Sequence, residues 1–415
     1  MNTAIMKTAW AVFVVSLVAG AAVAQDAQQA QMDIANGFFR RGFFEEAADE
    51  YRAYIEYYPN GAQLSTALYR LGECEYALNK HEDALEVFDQ YLAQSPEGEQ
   101  ADRARLRKGE LHYHLDQLDE AEATLTKLQE GQAAPQVRAG ALYYLGKLYY
   151  QNKSLSRSAA AFTTLADTFP DSPLTPFARY QLAFVYVAQG ALEKAASEFA
   201  EVASSVVDPS LRAESQFRAA ETYDKLGWYE PAIAAYKKLE TEFADTPYAE
   251  KARYGSAWAL YHAGRCDEAI EAARAYIESN PDAPELAGMQ YLYANCLQFL
   301  ERHGDAIAAY RAVRETYPDS EFAVRAHYKI AWSLFLNGDE QAARAEIERF
   351  LDAYPESQFA GEASFLLANV LIRQQDYGNA FDLYRLIAER YKDSEFGTEA
   401  LFKQGEMLEA LGRDE

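Results

Sequence analysis

Residues 331–367 read AWSLFLNGDEQAARAEIERFLDAYPESQFAGEASFLL, and this one stretch of 37 residues contains the pattern that decides the fold. A small residue, Ala331, is followed twelve residues later by a second one, Ala343. Bulky apolar side chains follow at Ile347 and Phe350, and this spacing places them with Ala343 on one face of a helix. The stretch therefore predicts two helices, A and B, each with one small residue at its centre.

The pattern recurs every 37 residues without an insertion. The helix B small residues are Ala47, Ala84, Ala121, Ser158, Ala195, Ala232, Ala269, Ala306, Ala343 and Ala380. The helix A small residues are Ala35, Gly72, Gly109, Gly146, Ala183, Ala220, Ala257, Ala294, Ala331 and Ala368, and Gly405 continues the series. Because a close-packed interior leaves no room for large side chains where two backbones approach, we predict that helices A and B cross at these residues.

Glycine and proline mark the ends of the predicted helices. A glycine between the two small positions can take the left-handed conformation that ends helix A, and it occurs at Gly42, Gly190, Gly227, Gly264, Gly338 and Gly412. Proline follows helix B in six units, at Pro59, Pro96, Pro170, Pro281, Pro318 and Pro355. One helix pair cannot bury its apolar face alone, so stacked neighbours are expected to share one continuous core.

The repeat resembles the tetratricopeptide repeat (TPR) over about residues 28–415, although TPR units usually run about 34 residues. Its junctions, YPDSEFA at 317–323 and YPESQFA at 354–360, are similar to those of bacterial envelope TPR proteins. Those include the outer-membrane assembly lipoprotein with a TPR body and the periplasmic TPR partner of the Tol-Pal system. The resemblance implies an all-α fold, a right-handed α-solenoid of antiparallel helix pairs, with ten units and one extra C-terminal helix at about 398–411.

The first 24 residues differ from the repeats. Lys7 precedes a nearly unbroken apolar run over 9–20, and the stretch Ala22-Val23-Ala24 ends it with small residues. This order is typical of a secretory signal peptide, and the apolar run is short for a membrane span. We predict a signal peptide over 1–24, cleaved after Ala24, and a TPR solenoid over 25–415. No cysteine lies near the cleavage site, so we expect a periplasmic protein without a lipid anchor.

The charge balance limits the classes of partner. The net charge is −25, from 39 basic and 64 acidic residues. Phosphate contacts need clustered lysine and arginine, so nucleic acid is not an expected partner. Anionic lipid should repel the chain, and no segment beyond the signal is expected to cross a membrane. We therefore expect membrane association only through protein partners.

The sequence contains few patterns that indicate catalysis or metal binding. It has no glycine-rich phosphate loop, nucleophile elbow or metalloprotease helix motif. His112 and His114 are two residues apart, so a helix sends them to different faces. We therefore predict no enzyme activity, no cofactor and no metal site. The odd count of three cysteines leaves at least one unpaired, and a disulfide between Cys266 and Cys296 stays open, because adjacent antiparallel helix ends would bring the two together.

The candidate binding residues form an aromatic series on helix A, which in TPR proteins tends to face the concave groove. Tyrosine and tryptophan supply large rigid contact area at binding sites. The alternative is that these rings only pack between neighbouring A helices and stabilise the fold. The carboxylate clamp of other TPR proteins needs a Lys–Asn pair on helix A, and these positions hold aromatic residues instead. The predicted groove residues are Tyr69, Tyr143, Tyr180, Tyr254, Trp258, Tyr291, Tyr328 and Trp332.

Two functional hypotheses follow. The first is an exported, non-enzymatic scaffold that binds protein partners in a bacterial cell-envelope complex, of the outer-membrane assembly or Tol-Pal and cell-division type. The alternative is a structural component of a polysaccharide-export or secretion apparatus. Leu401, Phe402 and Leu408 keep the last helix apolar, unlike a polar capping helix. Either the sequence is a fragment of a longer array, or the C-terminal face is a second candidate surface for partners.

Overall fold

The computed structural model describes residues 26–205, 208–390, 392 and 395–412. The predicted signal peptide over 1–24 lies outside these residues. Contacts divide the chain into two compact units, Met1–Val207 and Asp208–Glu415. We describe each unit by itself.

The described part of the first unit is built of helices that alternate between the predicted A and B positions. The A helices have odd numbers and the B helices have even numbers. The helices are α1 over 26–40, α2 Phe44–Tyr57, α3 Leu64–Ala77, α4 His81–Gln94, α5 Ala101–His114, α6 Leu118–Glu130, α7 Pro135–Gln151, α8 Leu155–Thr168, α9 Thr175–Ala188 and α10 Leu192–Ser204.

The second unit continues the same alternation and ends on a helix A. Its helices are α11 Pro209–Lys225, α12 Tyr229–Glu242, α13 Pro247–His262, α14 Cys266–Ser279, α15 Leu286–Phe299, α16 His303–Thr316, α17 Glu321–Leu336, α18 Glu340–Ala353, α19 Ala360–Arg373, α20 Tyr377–Arg390 and α21 Glu395–Ala410. No strand occurs among the residues that the structure describes in either unit. The predicted all-α fold of stacked helix pairs is confirmed.

The small residues lie at the centre of each helix pair. Every helix B small residue, from Ala47 to Ala380, is fully buried. The bulky side chains four residues after them are no more than 3% exposed. A Cβ added to Gly146 would lie 2.5 Å from the ring of Phe162, the bulky residue of the same pair. The large rings therefore fit because the facing position on helix A is small.

Each helix A ends in a left-handed residue. Positive φ angles recur every 37 residues, at Gly42, Asn79, Asp116, Lys153, Gly190, Gly227, Gly264, Glu301, Gly338, Gln375 and Gly412. The bonds of these turns do not depend on the residue type. Arg265 N donates to Leu260 O at 2.9 Å in a glycine turn, and Arg302 N donates to Leu297 O at 2.9 Å in a glutamate turn. This six-to-one bond is the Schellman motif that closes a helix.

The last helix lacks a helix B to cover it among the described residues. It begins at Glu395, three residues before the predicted start. Gly405, which continues the helix A series, has nothing within 4 Å of an added Cβ. Leu401 and Phe402 are 61% and 67% exposed. The apolar face that the sequence predicted at this helix is therefore uncovered in the structure.

The described cysteines are free thiols. Cys74, Cys266 and Cys296 are all buried. Cys266 begins α14 and lies near Cys296 on α15, as the antiparallel arrangement predicts. Burial raises the pKa of Cys266, which keeps the thiol protonated.

Candidate protein-binding grooves

The structure divides the eight predicted groove residues by exposure. Tyr69, Tyr291 and Tyr328 are buried, each with no more than 8% of its surface exposed. The other five, Tyr143, Tyr180, Tyr254, Trp258 and Trp332, are partly exposed. The five therefore have surface to offer a ligand, whereas the three buried rings mainly fill space between helices.

The aromatic series packs first against helix B of its own pair. The ring centroids of Tyr69 and Phe88 lie 6.0 Å apart, and those of Tyr254 and Tyr276 lie 5.9 Å apart. Some rings also contact the next helix A, since Tyr291 lies 5.4 Å from Phe322. The first two contacts are edge-on, a geometry that stabilises aromatic pairs beyond their buried area. The series thus supports the helix pairs as well as lining the surface.

A cavity of about 720 Å³ lies in the second unit and is lined mainly by α11 and α13, with the start of α15. We call it the Trp258 groove. Its aromatic lining includes Trp258, Tyr254 and Tyr276, with Tyr254 and Trp258 centroids 6.4 Å apart. Its volume is in the range of sites that take a side chain or a short peptide segment. Two of the eight predicted groove residues, Tyr254 and Trp258, therefore meet in one pocket.

Carboxylates surround the tyrosines of the Trp258 groove. The Tyr276 hydroxyl donates to Glu285 Oε2 at 3.3 Å. Burial, with the negative charges of Glu285 and Glu250, raises the pKa of Tyr276 to about 12. Burial and the charges of Glu285 and Glu321 likewise raise the pKa of Tyr254. The floor of the groove is therefore electronegative.

A second cavity of about 530 Å³ lies in the first unit, and we call it the Tyr69 groove. Its lining includes Tyr69 and Tyr91, at the repeat positions of Tyr254 and Tyr276 five units earlier. Arg70 and Arg103 also line it. With Glu73 and Glu99 also in the lining, the charges of this groove balance, whereas four carboxylates face two lysines in the Trp258 groove.

His112 and His114 contact different groups in the structure. Within the described ranges, no group of three or more histidine, cysteine, aspartate or glutamate side chains is placed to hold a metal ion. His112 Nδ1 lies 2.6 Å from Gln117 Oε1, while His114 stacks on His81 with centroids 5.3 Å apart. The two neighbours therefore have different surroundings, as expected for residues two apart on a helix.

The sequence reasoning missed a buried polar pair between the helices. Tyr310 Oη lies 2.6 Å from Asn295 Oδ1, with Asn295 next to the helix A small residue Ala294. The first and tenth units repeat this contact with Tyr51 to Asn36 at 2.8 Å and Tyr384 to Asn369 at 2.9 Å. The sequence signal for this pair is an asparagine directly after the helix A small residue. It occurs in units whose helix B has a tyrosine four residues after its own small residue.

A buried charge cluster was also missed. Glu346 is 3% exposed. Its carboxylate lies 3.1 Å from His327 Nε2, 2.5 Å from Arg314 and 2.6 Å from Arg349. The contact with His327 and the charge of Arg314 lower the pKa of Glu346 to about 2. The cluster joins α16, α17 and α18. Glu346 and Arg349 are three residues apart on one helix, but Arg314 and His327 come from other helices, and no sequence pattern pairs them with Glu346.

Comparison with known proteins agrees with the repeat. Models of the family described as "Tetratricopeptide repeat" match residues 32–99, 75–140 and 140–172. The model of the family described as "Outer membrane lipoprotein" matches residues 210–311 and 292–415. The first set lies within the first unit and the second within the second unit. The chain matches none of the curated proteins.

Solved structures of helical repeat proteins are similar to the chain over part of its length. A tetratricopeptide repeat protein from Parabacteroides merdae is 15% identical, covering 64% of this chain and 98% of its own, with a TM-score of 0.45. MamA from Desulfovibrio magneticus is 24% identical, covering 42% and 92%, with a TM-score of 0.37. PilF of Pseudomonas aeruginosa is 16% identical, covering 55% and 96%, with a TM-score of 0.42.

Stacked pairs of helices, with small residues buried where the helices cross, define an α-helical repeat protein. The chain belongs to the tetratricopeptide repeat proteins and resembles those of the bacterial envelope. It is accordingly a protein–protein interaction scaffold. In the part of the chain that the structure describes, no helix is both long and apolar enough to span a membrane.

Proposed function

We propose that the chain is an exported, non-enzymatic adaptor that holds protein partners in a bacterial cell-envelope complex. The observation that carries the proposal is the match of residues 210–311 and 292–415 to the outer-membrane lipoprotein family. The predicted signal peptide supports the same compartment, because it would deliver the chain to the periplasm. Among envelope pathways, outer-membrane assembly is the one that the family match favours.

The partners are proposed to bind along the two grooves. Partly exposed aromatic rings, Trp258 above all, give the contact area that binding hot spots need. The uncovered face of α21, with Leu401 and Phe402, is a second proposed surface. Apolar side chains that are exposed together commonly mark a surface for protein contacts.

Export is tested by measuring the intact mass of the protein and the cell fraction in which it is found. The full chain is expressed with its own first 24 residues, and the periplasmic fraction is analysed by intact mass. We expect a periplasmic protein that begins at Gln25. A variant with Lys7→Glu and Val14→Glu, changes that alter only the proposed signal, should remain in the cytoplasm at full mass. A wild-type chain that stays in the cytoplasm uncleaved would remove the proposal of export.

Partner binding is tested separately, by affinity capture from envelope extracts with the mature chain as bait. Recovery of outer-membrane assembly proteins, lost in a variant with Trp258→Ala, would support the proposal. Recovery of polysaccharide-export or secretion components would favour the alternative structural role. A bait that retains no protein in a Trp258-dependent way would contradict binding through this groove.

A further inference from the structure

We propose that the Trp258 groove binds a basic segment of the protein partner, taking a lysine or arginine side chain between its aromatic rings and its carboxylates. This inference rests on the proposed function, since it names the chemistry of the partner that the adaptor holds. The occupant follows from charge complementarity between the groove and a cation. Three features of the groove support it.

The first feature is a pair of carboxylates without a cation. Glu250 and Glu285 line the groove, both are exposed, and both act on the Tyr276 hydroxyl. Within the described ranges neither has an ion-pair partner, whereas Glu221 and Asp224 of the same groove each have one. Two carboxylates beside a shared hydroxyl repel each other. A bound cation would relieve that repulsion and replace water with a charge-assisted hydrogen bond.

The second feature is the aromatic wall. Trp258 is partly exposed, and its centroid lies 6.4 Å from that of Tyr254 and 6.0 Å from that of Tyr261. Tryptophan has the most favourable ring face for a cation, and the gain grows when the cation is desolvated. An arginine or lysine that enters the groove would thus meet a ring face on one side and carboxylates on the other.

The third feature is the balance of the remaining charges of the groove, which is negative although two lysines also line it. Glu221 accepts an ion pair from Arg218 at 2.9 Å, and Asp224 lies 3.4 Å from His262. Lys251 lies over the ring of Tyr248, 5.9 Å from its centroid. The lining thus carries four carboxylates against two lysines, Lys225 and Lys251, so its balance is negative. Glu250 and Glu285 are its carboxylates without an ion pair among the described residues.

The Tyr69 groove supplies an internal contrast. Five units earlier, Ser65 and Gln100 occupy the repeat positions of Glu250 and Glu285. Arg70 and Arg103 line that groove as well. The repeat architecture alone therefore does not require two carboxylates at these positions. Selectivity for a cation is expected at the Trp258 groove and not at the Tyr69 groove.

The test is peptide binding to the mature full-length chain, followed by fluorescence anisotropy. The probes are fluorescein-labelled hepta-arginine amide, hepta-glutamate and a neutral Gly-Ser heptapeptide, all at low salt. We expect hepta-arginine to bind and the other two not to bind. The variant with Glu250→Gln and Glu285→Gln should weaken binding about tenfold or more, because about 1.4 kcal/mol is a factor of ten.

Two sets of matched variants distinguish binding in the Trp258 groove from a general attraction by the net charge of the chain. A variant with Glu56→Gln and Glu130→Gln changes the net charge equally, at exposed residues of the first unit outside the Tyr69 groove, and should bind hepta-arginine within about twofold of wild type, a difference of about 0.4 kcal/mol. Trp258→Leu should weaken binding, whereas Trp332→Leu, two units further along, should not. Circular dichroism at 222 nm confirms that each variant is folded.

The outcomes are distinguishable from failure of the proposed function. If both glutamine variants weaken hepta-arginine binding equally, the attraction is a bulk-charge effect and the inference is wrong. If hepta-glutamate or the neutral peptide binds in a Trp258-dependent way, the groove binds peptides without a preference for cations. The proposed function is then retained, and the inference of a cationic partner is wrong. If no peptide binds the wild-type chain, the inference is wrong. The proposed function is then still tested by the affinity capture described above.

Discussion

Ser158 Oγ donates a hydrogen bond of 2.7 Å to the carbonyl oxygen of Gly146, and the bond joins the two small positions of the fourth helix pair. Ser158 is the only helix B small residue that is not alanine, and it is fully buried. The bond shows how closely α7 and α8 approach at their crossing. The same approach explains why a Cβ on Gly146 would meet the ring of Phe162.

Enlarging Ser158 should destabilise the first unit. Ser158→Val adds methyl groups where no space is available, and we expect a loss of about 1–3 kcal/mol in the free energy of unfolding, measured by urea denaturation. Ser158→Ala removes only the hydrogen bond and should cost about 1 kcal/mol or less. Equal losses for the two variants would show that the crossing has room to spare, contrary to this packing.

Glycine should stabilise the turns that lack it. Glu301 adopts φ 58°, and a side chain in the left-handed region costs roughly 1–2 kcal/mol, which glycine avoids. Part of that gain is lost because glycine is more flexible in the unfolded chain. We expect Glu301→Gly to raise the free energy of unfolding by about 0.5–1 kcal/mol.

The reverse substitution is the control for the turns. Gly264 adopts φ 75° and has nothing within 4 Å of an added Cβ, so Gly264→Ala tests the backbone alone. It should lower the free energy of unfolding by about 1 kcal/mol. A neutral Gly264→Ala together with a destabilising Glu301→Gly would contradict the assignment of strain to these turns.

Removing the hydroxyl of Tyr310 should leave a buried amide without its partner. Tyr310 Oη contacts Asn295 Oδ1 and Gln298 Oε1 at 2.6 and 2.8 Å. We expect Tyr310→Phe to cost about 1–3 kcal/mol in the free energy of unfolding. The control is Tyr236→Phe, at the same repeat position two units earlier. Tyr236 lines the Trp258 groove, so the loss of its hydroxyl is not expected to leave a buried amide without a partner. It should change stability by less than about 0.5 kcal/mol.

The charge cluster at Glu346 predicts a pH dependence. The pKa of Glu346 is lowered to about 2 in the folded chain, below the usual value of about 4.3 in an unfolded chain. Its contribution is therefore fully present above pH 4.3 and is lost as the pH falls toward 2. Glu346→Gln should lower the free energy of unfolding at pH 7. The gap between the variant and wild type should narrow below pH 4.3, as urea unfolding at a series of pH values would show. A gap that does not vary with pH would contradict the account.

Most of the fold could be predicted because each unit repeats the same physical constraint. Small residues at both crossings, bulky residues such as Phe350 and the glycine turns locate every helix pair from periodicity alone. The turns at Asn79, Asp116, Lys153, Glu301 and Gln375 lack glycine, so the glycine pattern did not predict their left-handed residues. The division at Val207 could not be foreseen, since the repeat continues across it without an insertion.

The site was less predictable than the fold. Periodicity identified Tyr69 and Tyr254 as equivalent, yet one is buried and the other is partly exposed. That difference depends on neighbours from other units, which a repeat pattern does not specify. The approach of Glu250 and Glu285 to Tyr276 likewise joins a helix A residue and the residue before the next helix A through a helix B ring. Such contacts follow from the stacking of units and cannot be read from one unit.

The central claim is that the chain is an exported scaffold that binds an envelope protein through the Trp258 groove. Its most direct test is photo-crosslinking in living cells, with a photoreactive amino acid in place of Trp258 or of the exposed control residue Lys237 on α12. The account predicts a covalent adduct with a cell-envelope protein from position 258 and none from position 237. Position 258 giving no adduct, or the same adducts as position 237, would contradict it.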